Sequence, residues 1–201
     1  MHVDELNLAA LAESFDRCIT FWHNDPEDHA LCRSELSLLA FDLAWENYSL
    51  WHEEDKARRT DVNDSLIALV KRNIDRFNQQ RNDLIERLDE AILGWLVQKT
   101  EFADDLPINS ETPGSIVDRI SIMSLKVYHM YEDTLRDDIN DEHRQKSLHK
   151  LAVLREQRSD LESALHLLLD DYLVGRKKMK IYRQFKMYND PTLNPEMYRQ
   201  K

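Results

Sequence analysis

The chain has 201 residues, of which 32% are charged, and its formal net charge is −11 at pH 7. A chain of this length buries roughly 70% of its unfolded surface in one domain, so folding requires neither a disulfide nor a structural metal. Three glycines and five prolines are too few for an all-β protein. The acidic charge argues against non-specific nucleic-acid binding, which needs clustered Lys and Arg, so we expect no nucleic-acid partner.

The first half of the chain predicts long amphipathic helices. The first helix covers residues 4–24, where apolar residues recur at helical spacing. Asp25-Pro26 then supplies an N-cap and a proline at the first helical position, which start a second helix that reaches residue 59. Two carboxylates, Glu46 and Glu53, interrupt the apolar stripe of this second helix.

The second half continues the helical pattern up to a basic C-terminal segment. The remaining predicted elements are a third helix over residues 64–100, a polar loop over 102–112, a fourth helix that starts at Pro113, a fifth helix from about 141 to 175, and a short basic helix over 177–187. Residues 176–201 carry eight basic and two acidic side chains, a net charge of +6. This segment either docks on the acidic body of the chain or receives an anionic partner.

The sequence contains no candidate membrane span. No apolar run approaches the ~20 residues that cross a bilayer. The N-terminus also lacks the basic, apolar and small-residue order of a signal peptide. We therefore predict a cytoplasmic protein with no membrane partner.

An internal repeat relates the two long helix pairs. Shifting the chain by 77 residues aligns residues 41–92 with 118–169 and gives 10 identities in 52 positions, against roughly three or four expected from composition. Chance similarity between amphipathic helices is the alternative explanation. We predict one all-α domain over residues 1–201, an up-down helical bundle of two duplicated long helical hairpins plus an N-terminal helix and a short basic C-terminal helix.

Two arginines occupy core positions of this repeat, Arg81 in the first copy and Arg158 in the second. An unpaired buried charge costs several kcal/mol, so each guanidinium needs a carboxylate or a ligand. Pairing of the second and third helices about their turn brings Glu46 towards Arg81. Since the second copy has methionines where the first has Glu46 and Glu53, we expect one pair of carboxylates to serve both arginines.

Two interpretations of this polar core stay open. In the first, an Arg–Glu network fixes the helix register and is purely structural. In the second, the core binds an anion or a polar ligand, because the guanidinium fork binds carboxylate or phosphate through two hydrogen bonds. The ligand-binding residues of the second interpretation are Arg81, Arg158, Glu46, Glu53, Asn78 and Asn82, with Asn47 beside them.

The sequence shows no recognised motif for metal binding or catalysis. It contains no Glu-x-x-His, His-Glu-x-x-His or Cys-x-x-Cys motif and no glycine-rich phosphate loop. His52 and His129 flank the core stripe and do not occupy it. A histidine in such a position is more often a partly exposed or interface residue than a general base. Capping explains the acids and histidines near His23 better than a metal does. We therefore predict no metal and no cofactor, leave the catalytic residues unassigned, and keep metal binding by acids with His52 or His129 as a third alternative.

Six short motifs occur in order along nearly the whole chain. They are Asn78 to Leu84, Glu111-Thr112-Pro113, Asp118-Arg119-Ile120-Ser121-Ile122, Lys126-Val127-Tyr128-His129-Met130, Glu156-Gln157-Arg158 and Lys186-Met187-Tyr188-Asn189-Asp190-Pro191. Together they resemble a bacterial family catalogued as domain of unknown function 4254. The resemblance implies an all-helical, bacterial, cytoplasmic protein and suggests a link to cell-envelope glycan synthesis. It implies no activity and no catalytic residues, because the family is uncharacterised.

The sequence favours a non-catalytic binding or interaction protein that is an accessory to another pathway. Its long amphipathic helices suit a protein partner or a second copy of the chain. The alternative is an enzyme or ligand-binding protein with a phosphate or nucleotide-sugar site in the polar core. A cavity touching the core arginines would favour that alternative, whereas direct Arg–carboxylate contacts with no void would count against it.

Overall fold

The computed structural model describes residues 10–24, 38–185, 187 and 190–199. Within these residues the chain forms six α-helices and no β-strand: α1 Leu11–Asn24, α2 Leu38–Ala57, α3 Asp64–Leu96, α4 Pro113–Leu135, α5 Asp141–Leu173 and α6 Pro195–Tyr198. The all-α prediction is confirmed. The predicted start of the first helix at residue 4 and of the second helix at Asp25-Pro26 lie outside the described residues.

Polar side chains fix the starts of the three long helices α3, α4 and α5. The Oδ1 atoms of Asn63 and Asn140 accept hydrogen bonds from backbone N–H groups in the first turns of α3 and α5, at 2.9 and 2.8 Å. Thr112 caps α4 in the same way, and Pro113 occupies its first turn. Each cap satisfies a backbone donor that the helix itself leaves without a partner.

The two long hairpins have the same geometry at their turns. Arg59 donates two hydrogen bonds to Asp61 at 3.0 and 2.7 Å, and Arg136 donates two to Asp138 at 2.9 and 2.6 Å. Helices α3 and α5 both have 33 residues, and the shift of 77 residues maps the bounds of one onto the other. This agreement supports the predicted repeat, whose origin by duplication stays a hypothesis.

Helix α4 is the central element of the fold. It contacts α1, α2, α3 and α5, while α2 with α3 and α4 with α5 form the two hairpins. Helix α1 lies mainly against α4 and buries one apolar face that includes Leu11, Phe15 and Trp22. Burial of each such side chain contributes roughly 1.5–3 kcal/mol. The last turn of α1 is thereby held against the bundle.

A close approach between α3 and the start of α4 requires glycine at position 114. The backbone N–H of Gly114 donates to Oδ1 of Asp89 at 2.7 Å. A Cβ atom at this position would lie 2.7 Å from the carbonyl oxygen of Ile85 and 2.8 Å from Oδ1 of Asp89. Any larger side chain would therefore push the two helices apart.

The predicted short basic helix over 177–187 is wrong. After Gly175, which has a φ of +71°, residues 179–185 run without helical structure. The backbone N–H of Lys178 donates to the carbonyl oxygen of Pro107, and Arg183 donates to Glu86 and Glu90 of α3 at 2.9 and 2.6 Å. These contacts dock the segment on the acidic body of the chain, whereas a short isolated helix would be only marginally stable.

Among the described helices, none combines the length and the apolar composition needed to cross a membrane.

Candidate functional site

The structure pairs the two core arginines with acids other than the predicted ones. Nε of Arg81 lies 3.9 Å from Oδ1 of Asp118, and Arg158 forms an ion pair with Asp16. Arg158 also donates to Oγ of Ser124 at 3.0 Å. The predicted pairing of both arginines with Glu46 and Glu53 is therefore wrong. Asp118 belongs to α4 and Asp16 to α1, so each partner comes from outside the arginine's own hairpin.

Glu53 and Glu46 have separate environments on α2. Glu53 is buried and accepts hydrogen bonds from Lys56 at 2.6 Å and Asn73 at 3.1 Å. Burial alone would raise the pKa of Glu53, but these hydrogen bonds bring it below its ordinary value. Burial raises the pKa of Glu46 to about 7, with Arg76 opposing the effect and Asp42 adding to it. Among the described residues, neither carboxylate forms an ion pair with Arg81, whose partner is Asp118.

A cavity of about 400 Å³ opens beside Arg81. Its polar lining is Asn47, Glu54, Asp55, Arg58 and Arg81, and its apolar lining is one tryptophan and three aliphatic side chains from α2 and α4. Of the six residues predicted to bind a ligand, Arg81 alone lines this cavity. Asn82 is buried and Asn78 half-buried, both on α3, and neither contributes to the cavity lining.

The guanidinium of Arg81, a residue that lines the cavity, is only partly compensated. Its Nε is buried and has no hydrogen-bond partner among the described residues. Oδ1 of Asp118 already accepts a hydrogen bond from Asn47 at 2.8 Å, and Asn47 also donates to Ser121 at 2.7 Å. Burial raises the pKa of Asp118, against the opposing influences of Arg81 and Asn47. The distance of 3.9 Å between Arg81 and Asp118 exceeds the 2.7–3.2 Å range of a direct hydrogen bond.

Three histidines from three helices converge close to this cavity. His23 lies in the last turn of α1, His52 lies in α2 and His129 lies in α4, and all three are half-buried. One ring nitrogen from each lies within 4.8 Å of the other two. The Nε2 atom of each histidine is buried and makes no hydrogen bond within the described part of the chain.

The opposite ring nitrogens of two of these histidines are anchored. Nδ1 of His23 lies 2.8 Å from the carbonyl oxygen of Ile19, and Nδ1 of His129 lies 3.0 Å from Oε2 of Glu132. A carbonyl or carboxylate oxygen only accepts a hydrogen bond, so each Nδ1 carries the proton. In the neutral imidazole the Nε2 atom then presents a lone pair.

Aromatic rings pack around the histidines. The ring of Tyr128 stacks on His23 with centroids 4.2 Å apart, and the ring of Trp51 stacks on His129 at 4.9 Å. Tyr48 meets His52 edge to face at 4.5 Å. Each of the three imidazole rings thus packs against at least one aromatic side chain.

Burial is the largest influence on the pKa of His52 and of His129, and it lowers both. The neighbouring His23 lowers both further, while Glu132 raises the pKa of His129 and Asp55 raises both. The environment therefore favours neutral imidazoles, the form in which a histidine nitrogen accepts a proton or binds a metal.

A family model described as protein of unknown function DUF4254 matches residues 37–181. The chain belongs to this family. No curated protein and no solved structure matches the chain.

The DUF4254 match covers α2 to α5, so His52, His129, Arg81 and Arg158 all lie inside it, whereas His23 lies outside. One sequence signal for the histidine cluster existed, because the shift of 77 residues aligns His52 with His129. The sequence placed His23 in a group of acids and histidines at a helix end, where capping was the favoured explanation, and α1 is not part of the repeat that aligns the other two histidines.

Proposed function

We propose that this DUF4254 member is a small-molecule-binding protein whose ligand occupies the cavity beside Arg81 and carries a carboxylate or phosphate group. The observation that carries the proposal is the buried Nε of Arg81, which has no hydrogen-bond partner among the described residues and whose nearest carboxylate is 3.9 Å away. A buried donor without an acceptor is rare in folded proteins, and a bound anion would supply that acceptor.

The lining of the cavity supports a ligand with two chemically different parts. A volume of about 400 Å³ lies within the usual range for small-molecule sites. The aliphatic side chains and Trp51 suit a ring or a short apolar chain, while Asn47 and Asp55 suit hydroxyl or amine groups. These features are consistent with a sugar phosphate or a nucleotide-linked sugar.

Arg158 has a structural role in this proposal. Its guanidinium is occupied by Asp16 and Ser124, and it does not line the cavity. The proposed ligand site therefore retains Arg81 and Asn47 from the sequence-based prediction and gains Asp55 and Arg58. Arg58 itself is held by Glu54 at 2.9 Å, so it borders the cavity as half of an ion pair.

Binding, rather than catalysis, fits the cavity lining best. Of the described residues that line it, none is Ser, Cys, Thr, Lys or His. These types supply many nucleophiles and general bases, which leaves Asp55 and Glu54, the latter held in an ion pair with Arg58, as the acidic groups of the lining. The predicted role as an accessory to another pathway, with a protein partner or a second copy, stays a prediction. Size-exclusion chromatography with light scattering would measure the oligomeric state.

A thermal-shift screen of the whole chain tests the proposed site. The compounds are inorganic phosphate, small carboxylates, nucleotides and sugar nucleotides. A ligand at 100 times its Kd stabilises the protein by about 2.7 kcal/mol, which raises the Tm by roughly 5–10 °C for a domain of this size.

Arg81→Lys keeps the charge but loses the planar fork, so we expect it to abolish most of that ligand-induced shift. Arg72→Lys is the matched control, because Arg72 is an exposed arginine of the same helix that does not line the cavity. A screen without any shift, or an equal shift in Arg81→Lys and wild type, would contradict the proposal.

A further inference from the structure

We propose that His23, His52 and His129 bind one divalent transition-metal ion of the zinc class through their three Nε2 atoms. This site goes beyond the proposed ligand cavity, because none of the three histidines lines that cavity. It also revises the sequence-based expectation that the chain has no metal site.

The first argument is the convergence of three buried nitrogens without hydrogen-bond partners. One ring nitrogen from each histidine lies within 4.8 Å of the others, and each Nε2 is buried with no partner among the described residues. Buried polar atoms in folded proteins nearly always have a partner. Three buried nitrogens without partners on three histidines that converge in this way point to a single missing partner that accepts three lone pairs, which a cation does.

The second argument is the distance between the nitrogens. A tetrahedral zinc ion with Zn–N bonds of 2.0–2.1 Å places its ligand nitrogens roughly 3.3 Å apart. Small rotations of the imidazole rings would bring nitrogens that lie within 4.8 Å to that spacing. The nitrogens are therefore no more than about 1.5 Å beyond the spacing of a tetrahedral site.

The third argument is the orientation of the rings. In metal sites the distal nitrogen of a ligating histidine donates to a backbone carbonyl or to a carboxylate, which fixes the tautomer and aims the other nitrogen at the ion. Nδ1 of His23 has a carbonyl partner in Ile19, and Nδ1 of His129 has a carboxylate partner in Glu132. Two of the three histidines thus have the outer contact seen in metal sites, one to a backbone carbonyl and one to a carboxylate.

The chemistry of the donors identifies the class of ion. Three imidazoles suit Zn²⁺, Co²⁺, Ni²⁺ and Cu²⁺, whereas Mg²⁺ and Ca²⁺ prefer oxygen ligands. The carboxylates of Asp55 and Glu132 lie close enough to influence the neighbouring histidines and would offset part of the ion's charge. Three protein ligands leave one tetrahedral position for water or a small anion.

The alternative explanation is a cluster of neutral histidines that serves only as aromatic packing. The stacked and edge-to-face contacts of Trp51, Tyr48 and Tyr128 are compatible with it. It does not explain why one ring nitrogen from each of three histidines lies within 4.8 Å of the others while all three Nε2 atoms are buried without a hydrogen-bond partner among the described residues. Metal binding explains this convergence and is compatible with the packing.

The test is titration of the full chain, stripped with a chelator and free of an affinity tag, with Zn²⁺ and Co²⁺. We expect one ion per chain with a Kd below about 1 μM, and absorption bands of tetrahedral Co²⁺. His52→Gln and His129→Gln should each weaken binding by about 100-fold or more, because loss of an outer-shell contact alone typically costs 10–100-fold. His149→Gln on the exposed face of α5 is the matched control and should bind like wild type.

A second measurement needs no variant and therefore does not depend on the folding of the mutants. X-ray absorption of the zinc-loaded wild type should show three nitrogen ligands at 2.0–2.1 Å with the scattering pattern of imidazole. Failure to bind a stoichiometric ion, a first shell of sulfur or oxygen only, or unchanged affinity in both His→Gln variants would overturn the proposal.

Discussion

The indole of Trp51 stacks on the imidazole of His129 with centroids 4.9 Å apart and planes 8° from parallel. Trp51 also lines the cavity beside Arg81, so one side chain separates the two proposed sites. Its fluorescence can therefore report on both of them.

We predict that Cu²⁺ or Co²⁺ bound at the histidine cluster quenches tryptophan fluorescence mainly through Trp51. The reason is distance, because the ion would be bound to the imidazole on which this indole stacks. Trp51→Phe should lose a larger part of the metal-dependent quenching than Trp95→Phe. The indole of Trp95 is buried on α3 and is not part of the histidine cluster. Equal losses in the two variants, measured by steady-state titration, would contradict the assignment.

The two proposed sites should respond separately to substitution. Arg81→Lys should lose the thermal shift caused by an anionic ligand and keep the one caused by Zn²⁺. His52→Gln should show the opposite pattern, because His52 does not line the cavity. Parallel thermal-shift titrations of both variants measure this. Loss of both responses in both variants would indicate general damage to the fold and would assign neither site.

Gly114→Ala should destabilise the protein by about 1–3 kcal/mol. The added methyl group would lie 2.7 Å from the carbonyl oxygen of Ile85 and 2.8 Å from Oδ1 of Asp89, so α3 and α4 must separate. Gly94→Ala is the matched control, since its methyl group would meet nothing within 4 Å. In helix α3 that control should gain about 0.5–1 kcal/mol. Urea denaturation measures both, and a stabilised Gly114→Ala would refute the packing argument.

Asp89 should make folding stability depend on pH. Burial raises its pKa to about 6 from an ordinary 3.8, although hydrogen bonds from Thr112 and Gly114 oppose the shift. Because the carboxyl binds its proton more tightly in the folded state, its contribution to stability falls as pH rises from about 4 to 6 and is constant above that range.

Asp89→Asn removes this titration and keeps an oxygen acceptor for the N–H of Gly114. The free energy of unfolding of the variant relative to wild type should therefore increase by up to about 3 kcal/mol between pH 4 and pH 7. Urea denaturation at several pH values checks this. A difference that stays constant with pH would show that the carboxyl of Asp89 does not titrate in this range.

The basic segment should detach locally when Arg183 is removed. Arg183 bridges Glu86 and Glu90, and the backbone N–H of Gln184 donates to Glu86 at 2.8 Å. In Arg183→Ala we expect faster hydrogen exchange over residues 178–185 with little change in global Tm, because exposed ion pairs contribute little to stability. Arg199→Ala, at the end of α6, is the control. Unchanged exchange at Gln184 would show that other contacts hold the segment.

The helices themselves were predictable from the sequence, because their signals are local. Apolar periodicity and Pro113 together placed α3, α4 and α5 within a few residues, and the shift of 77 residues seen in the sequence agrees with the bounds of α3 and α5 in the structure. Each of these features acts through neighbours a few positions away in the chain. The match to DUF4254 likewise confirmed the resemblance seen in short motifs.

The pairing of charges and the histidine cluster were decided only by tertiary structure. Asp118 reaches Arg81 from α4, and Asp16 reaches Arg158 from α1, although pairing within a hairpin pointed to Glu46 and Glu53. His23 joins His52 and His129 because the apolar face of α1 packs on α4 and orients its last turn. Helical periodicity tells which face of a helix is buried, but the contacts across that face depend on how the helices are rotated and offset in the packed bundle.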